Sequence, residues 1–368
     1  MLGCASTSYA YLKKVKKRPN LQIRKRSLVQ RVIFEGKTAI GIQCTRAGRS
    51  HYYRAEREVI LCAGAIGSPH LLQVSGVGPK KTLQAAGIEQ LLELPGVGKN
   101  LQDHLEFNFQ YTCKQPISLN GDLGLISKAL IGACWLFFKT GLGRTNHFES
   151  CAFIRSRAGV KWPDIQYHFL PGAITYDGSV AFKGHGFQVH VGHNKPTSRG
   201  HVRALSADIN QHPEILFNYL ATEEDRQGFR DCVRLTREIM AQPAMDAFRG
   251  EVIQPGPEIE TDEQIDAFVR RSVDSAYHPA GTCKIGTDKM AVVDSDLRVH
   301  GLYNIRVIDS SVFPTVPNGN LNAPTMMVAE RGADLIKGEG LLPAAGVAVY
   351  EDAHWEIRQR ELPAEQPG

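Results

Sequence analysis

Within "SVDSAYHPAGTCKIG", residues 272 to 286, one imidazole, His278, stands against Pro279 and the small residues Ala280, Gly281 and Thr282. Histidine is the side chain whose unperturbed pKa lies nearest neutrality, so an imidazole with open space beside it can act as a general base. Without a motif around it, a lone histidine is more often a hydrogen-bonded core residue. Asp103 and His104 are adjacent in "KNLQDHL" with no other ligand at metal spacing, and read as a hydrogen-bonded structural corner. His185, His190, His193 and His201 recur at strand spacing without accompanying cysteines; they read as partly exposed positions of a sheet. A glycine-rich turn, Gly64 with Gly67, Ser68 and Pro69, follows the apolar run 59 to 63, and such turns bring backbone N–H groups close to a ligand. Alone, that pattern is weak.

These residues need elements to hold them. From Leu21 to Pro69, apolar and polar residues alternate in short runs broken at 35 to 37 and 47 to 49, which predicts an antiparallel meander leading into a buried strand over 59 to 63 and a helix opening at His70. Apolar residues at helical spacing (Phe229, Cys232, Val233, Leu235, Ile239) predict a helix over the mid-chain segment from Thr222, and Thr261 with Gln264 forms a capping box for another. Asp309 follows the strand 305 to 308 and reads as an N-cap. Asn322 and Pro324 read as the start of a helix over 325 to 336.

Composition narrows the class. Of 43 Lys and Arg, nine precede the first acid, Glu35, leaving 34 against 38 Asp and Glu in the body; the net charge of +5 therefore gives no argument for a nucleic-acid partner, and the basic start is a solvated face or one facing a phosphate-rich or membrane surface. Eight scattered cysteines without a C-x-x-C pair fit free thiols in a reducing compartment. The most apolar run, "ALIGACWLFF" (129 to 138), is about half a membrane span, leaving a buried core segment or one lying on a bilayer surface. The last residues, "ELPAEQPG", read as disordered.

Several segments are shared, in order, with one enzyme family. "GAIGSPHLLQVSGVGP" (64 to 79), "LPGVGKNLQDHL" (94 to 105), "PTSRGHV" (196 to 202), "YHPAGTCKIG" (277 to 286) and "RVIDSSVFPTVPNGNLNAPTMMVAERGADLIKG" (306 to 338) resemble the glucose-methanol-choline (GMC) family of FAD-dependent oxidoreductases. "NHFESCAFIRSR" (146 to 157), "WPDIQYHFLPGAITYDG" (162 to 178) and "FRGEVIQPG" (248 to 256) resemble its choline-oxidising branch.

The resemblance implies an α/β (α+β) architecture. The remainder of an FAD-binding Rossmann-like domain (1 to 110 and 285 to 345) would interleave with a substrate domain (111 to 284) of antiparallel sheet backed by helices, with a tail over 346 to 368. It implies oxidation of choline to betaine aldehyde, with a quinone or similar acceptor taking the electrons; the alternatives are another aliphatic alcohol or a non-catalytic remnant. His278 takes the place of the family's catalytic base and Asn320 that of its partner, with Asn322 second in line. Gly64, Ser68 and Asp309 fall in cofactor-contacting segments, and Asn322, Pro324 and Thr325 open a helix beneath the flavin's pyrimidine edge, where its dipole would stabilise negative charge. Glu149 matches the carboxylate expected to hold a quaternary ammonium, which needs an anion and aromatic faces; His147, Phe148 and His168 flank it, with Tyr167 or Trp135 supplying a ring. The chain has no G-x-G-x-x-G, the family's pyrophosphate turn, and reads as the C-terminal portion of such an enzyme, expected to bind FAD weakly or not at all. Cytoplasmic and membrane-associated locations, the latter peripheral, both stay open.

Overall fold

Alternation in the first third becomes a three-stranded antiparallel meander in the computed structural model, which describes residues 6–148, 150–174 and 184–360. Strands β1 (Ser27–Glu35), β2 (Thr38–Arg46) and β3 (Arg49–Arg54) turn where the sequence predicts, with Glu35 paired to Thr38 and Arg46 to Arg49. Strand β4 (Val59–Leu61) leads into helix α1 (Gly64–Val74). That helix begins six residues before the expected His70 and runs through Pro69. Proline lacks the N–H that would bond the carbonyl four residues back. Here that carbonyl, on Ala65, accepts the buried Thr282 hydroxyl at 2.6 Å, so the helix continues without an orphaned acceptor.

The middle of the chain is one antiparallel sheet. Its order is β9 (Arg249–Gln254), β5 (Leu105–Cys113), β8 (Gly186–His193), β7 (Ile165–Leu170) and β6 (Ser150–Ile154), and the short β10 (Asp274–Ser275) also pairs with β5. Side chains alternate across a strand. One face carries Phe107, Phe109, Tyr111, Ile165, Tyr167, Val189 and Val191 into an apolar cluster, completed by Phe229, Cys232 and Val233 of helix α3 (Glu223–Met240) and Ile265 and Phe268 of α4 (Asp262–Ser272). Phe107 meets Phe268 edge-on at 5.6 Å, and burying each such ring contributes roughly 1.5–3 kcal/mol. The predicted capping box is present, with Thr261 and Gln264 bonded reciprocally, and Arg230 ties α3 to Asp266 of α4 at 2.5 Å. The opposite face is polar: Glu106, Asn108, Gln110, Gln166, His168, Gln188 and His190 point there.

A second apolar cluster draws on residues 32 to 97, Ala204 and residues 283 to 312, around β4 and its parallel partner β11 (Ile305–Val307). Leu105, Phe107 and Phe109, at the end of the segment 1 to 110 expected to belong with the FAD-binding part, pack in the sheet cluster. Helix α5 (Asn322–Lys337) starts one turn earlier than predicted and has no side-chain cap, so Asn322 is its first residue rather than its N-cap. Residues 350 to 360 return to the sheet, where Asp352 pairs with Arg155 and the Gly159 N–H donates to the Trp355 carbonyl at 2.8 Å; "ELPAEQPG" lies outside the described residues.

Replacing Thr282 by the isosteric valine removes the one hydroxyl that satisfies Ala65. Urea unfolding should show a loss of about 1–3 kcal/mol, and an unchanged midpoint would refute this account of the proline-containing helix.

Candidate active site

The strand-to-strand corner from Gln102 to Glu106 organises the site. Gln102 bridges to Ala280, Leu105 pairs with Ser275 and Glu106 with Asp274, so the 275–280 loop is strung along it. Between these ties the buried Asp103 carboxylate accepts the His278 backbone N–H (2.9 Å), the Ser275 hydroxyl (2.6 Å) and the Tyr219 hydroxyl (2.7 Å). Burial pushes the Asp103 carboxyl pKa up, against those three donors. Tyr277, just before the imidazole, is held in the left-handed region at φ 60°, an uncommon conformation for a bulky residue and one that concentrates at functional sites. Gly281, at φ 93°, is required twice over: a Cβ there would stand 2.6 Å from the Asn100 carbonyl oxygen.

His104 sets the protons on His278. Its Nε2 lies 3.1 Å from the Asn194 carbonyl oxygen, which can only accept, so Nε2 carries the hydrogen. Burial, reinforced by His278, drives the His104 pKa down to about 3, so the ring is neutral and its Nδ1 is a lone pair. That atom is 3.1 Å from His278 Nδ1, which must therefore be the donor. The remaining nitrogen of His278, Nε2, is left bare as a proton acceptor. It faces Asn320 Nδ2 at 3.3 Å, and the Asn320 carbonyl oxygen accepts from Gln166 Nε2 at 2.8 Å, which turns the amide N–H groups toward the imidazole. Burial lowers the His278 pKa below its ordinary value, while Asp103 and Glu106 pull it back up.

Beyond the imidazole, on the polar face of the sheet, is a cavity of about 540 Å³ lined by Glu106, Asn108, His147, Phe148, Gln188 and His190 among others. A hydrogen-bond chain fixes its charge. Gln188 Oε1 accepts from Gln110 Nε2 (2.9 Å) and from the Ile174 N–H (3.1 Å), so Gln188 Nε2 donates to His190 Nε2 (2.8 Å). His190 then carries its hydrogen on Nδ1 and gives it to Glu106 Oε1 at 2.9 Å. A neutral imidazole solvates the carboxylate without cancelling it. Glu106, four-fifths buried, turns its carboxylate to the cavity. Phe148 stands edge-on to His168 (5.9 Å) and His190 (5.5 Å).

The structure brings His278, Asn320, His147 and His168 to this region, and Glu149 lies outside the described residues. Neither expected ring lines the cavity: Tyr167 is on the apolar face, bonded to Thr236 within the core, and Trp135 is exposed; Phe148 provides the aromatic surface. His190 and His193 are buried rather than partly exposed, because they lie on opposite faces of a sheet covered on both sides: His190 lines the cavity and His193 packs under α3. The Asp103–His104 corner is hydrogen-bonded as predicted, but what it holds is the His278 loop and imidazole. Asp309 caps the turn that follows it through the Ser311 N–H (2.8 Å) and also accepts from the Gly64 N–H (2.9 Å) and the Ser68 hydroxyl (2.5 Å). Both side chains are engaged within the protein, leaving only backbone for a cofactor.

The residues present fit the ring end of a flavin. The first turn of α5, with Asn322, Pro324 and Thr325, opens two residues after Asn320 with no side-chain cap and no acid, and the Thr325 hydroxyl is buried without a partner among the described residues. Gly64, at φ 75°, has open space where a Cβ would project.

Four residues escaped the sequence reading: His104 as an orienting group, Gln166, Gln188 and Glu106. The signal was there in "LEFNFQY" and "FQVHV", whose alternation places large polar residues on a face with an apolar reverse.

Because His104 is protonated readily once unfolded but only near pH 3 when folded, the unfolded chain binds more protons between those values. Stability is therefore greatest above about pH 6.5 and falls as pH drops toward 3. The thermal midpoint of a His104→Gln variant should depend less steeply on pH across that window; equal slopes would place the acid sensitivity elsewhere.

Two family models described as GMC oxidoreductase match residues 4–106 and 196–329. The chain is 58% identical over 365 residues to the oxygen-dependent choline dehydrogenase of Photobacterium profundum, covering 99% of this chain and 64% of that protein, and 59% identical to that of Vibrio vulnificus, covering 97% and 64%. It thus spans about two-thirds of the length of these relatives, slightly less. Among solved structures, pyridoxine 4-oxidase from Mesorbium loti superposes with a TM-score of 0.79 at 30% identity, over 91% of this chain and 62% of that one. A formate oxidase superposes at 0.83 and 25%, over 88% and 62%. With both family models matched in order and relatives 58–59% identical over nearly the whole chain, the chain belongs to the GMC oxidoreductase family.

Proposed function

We propose that this chain forms the substrate side and flavin-ring side of an FAD-dependent alcohol dehydrogenase acting on choline. The observation that carries the proposal is the bare Nε2 of His278, fixed by His104, beside the inward-turned amide of Asn320 and a cavity lined by the Glu106 carboxylate. The hydroxyl of a bound alcohol gives its proton to His278 Nε2 and receives a hydrogen bond from Asn320 Nδ2. That bond strengthens as negative charge grows on the oxygen, which stabilises the reacting state more than the bound substrate. Asn320 cannot compete for the proton, because its carbonyl oxygen is held by Gln166. Flavin, when bound, supplies the hydride acceptor. Glu106 and Phe148 hold the cationic head at the other end of the cavity, the anion by charge and the ring by its face. The relatives, oxygen-dependent choline dehydrogenases, support choline as substrate and make dioxygen the first electron acceptor to assay, beside a soluble quinone.

The test is anaerobic bleaching of flavin absorbance in the FAD-loaded chain. His278→Ala should slow choline-dependent bleaching by roughly 10²–10⁴-fold, and the parent rate should rise with pH through one ionisation below the ordinary histidine value. Glu106→Gln should raise the half-saturating concentration of choline at least tenfold while leaving that of its uncharged isostere, 3,3-dimethylbutan-1-ol, nearly unchanged. Equal losses on both alcohols would reject the cationic substrate, and bleaching that survives His278→Ala would reject the base.

A further inference from the structure

The carbonyl that fixes His104 belongs to Asn194, and what holds Asn194 is a connection the proposed reaction does not touch. Helix α2 (Leu125–Ala133), which lends Ile131 and Gly132 to the cavity wall, has no buried residue and gives the site little support. The support comes from the opposite edge, where residues 155 to 164 join the edge strand β6 to β7. There the buried Asp164 carboxylate accepts the Ser156 N–H and hydroxyl, both at 2.7 Å, and the Asp164 backbone carbonyl accepts the Asn194 N–H at 2.7 Å. Pro163, one residue earlier, accepts from the side chain of Asn318, two residues before Asn320. Phe153 pairs across the strands with Gln166, and a Cβ on Gly319 would stand 3.3 Å from its ring. One connection thus reaches both the His104–His278 contact and the Asn320 amide.

A connection at a sheet edge ordinarily opens more easily than the strands it joins. This one is tied down by a distant part of the chain. After α5 the backbone runs through solvent, with Leu342 85% and Val349 78% exposed, and residues 350 to 360 then return to the connection. Asp352, 4% exposed, pairs with the Arg155 guanidinium, whose Nε also donates to the Gln359 carbonyl at 2.8 Å. Gln359 Nε2 donates in return to the Arg155 carbonyl at 2.8 Å. The Gly159 N–H is held by the Trp355 carbonyl, and Lys161 pairs with Glu351 at 3.0 Å. Ordering a returning segment costs conformational entropy that an exposed link does not offset, so these contacts, concentrated on Arg155, have to carry it. We propose that residues 350 to 360 are a clasp on the β6–β7 connection, and that Arg155, Asp352 and Asp164 are positioning residues that hold His104 and Asn320 in register with His278. The kinetic consequence rests on the reading of His278 as the base; the geometric one does not.

Two measurements test it, one of them free of flavin. In nitrogen-15 spectra of the histidine-labelled chain, with the His278 signals assigned by their loss in His278→Ala, the parent should show Nδ1 as an N–H and Nε2 bare. Asp352→Ala should move both signals toward a tautomer average. In the FAD-loaded chain the same variant should lower the limiting rate of choline-dependent bleaching at least tenfold. Its half-saturating choline concentration should change less than threefold, because Glu106 is held by His190 and not by the clasp. Asp352→Asn, which keeps an oxygen for Arg155, should fall between. Lys161→Gln breaks only an exposed tie and should match the parent in every reading. Should Asp352→Ala not fold, as circular dichroism would reveal, Gln359→Leu loses one bond of the same clasp and should shift the signals and the rate in the same direction. Nitrogen signals and limiting rate equal to the parent's, with only the melting temperature lowered, would overturn the proposal. A parent with the fixed tautomer but no choline-dependent bleaching would reject the substrate reading alone, and the nitrogen signals would still decide the clasp.

Discussion

One hydrogen bond between two imidazoles decides what this site can do. Had His104 been free to accept or donate at either nitrogen, His278 could present an N–H to the substrate instead of a lone pair. The carbonyl of Asn194 removes that freedom by accepting only, and burial removes the charged alternative by holding His104 neutral. Orientation then passes outward along the chain of donors and acceptors, from His278 to Asn320 to Gln166. Each member is set by a neighbour that has no choice.

The same five-residue corner joins the two halves of the molecule. Leu105 points into the apolar face of the sheet, Glu106 into the cavity, His104 to the base, and Asp103 secures the loop that carries the base. A strand alternates faces by geometry, so neighbouring residues necessarily serve opposite sides. The consequence is that packing and chemistry are covalently adjacent. A shift of the core under Leu105 moves the orienting imidazole and the carboxylate together.

Much of this was legible in the sequence, for reasons that differ by element. The meander, the two amphipathic helices and the capping box follow local rules of period and cap, and they form where those rules place them. His278 and Asn320 were marked out by the family's motifs rather than by residue physics. What escaped was non-local. The helix continues through Pro69 because a hydroxyl more than two hundred residues later takes the freed carbonyl, which no window of sequence contains. Glu106 was passed over because an acid in an amphipathic strand ordinarily faces water; only the pairing of β5 with β8, which brings His190 and Gln188 alongside, turns that face inward. Of the four histidines read as partly exposed, His185 and His201 are so, and His190 and His193 escaped for the same reason.

The paired imidazoles have a stoichiometric corollary. Between about pH 3 and the titration of His278, only one of the two rings exchanges a proton, although a count of side chains finds two ionisable groups in contact. The pair is a single-proton store: His104 stays neutral, so a proton taken up at His278 has to leave before another can be accepted there.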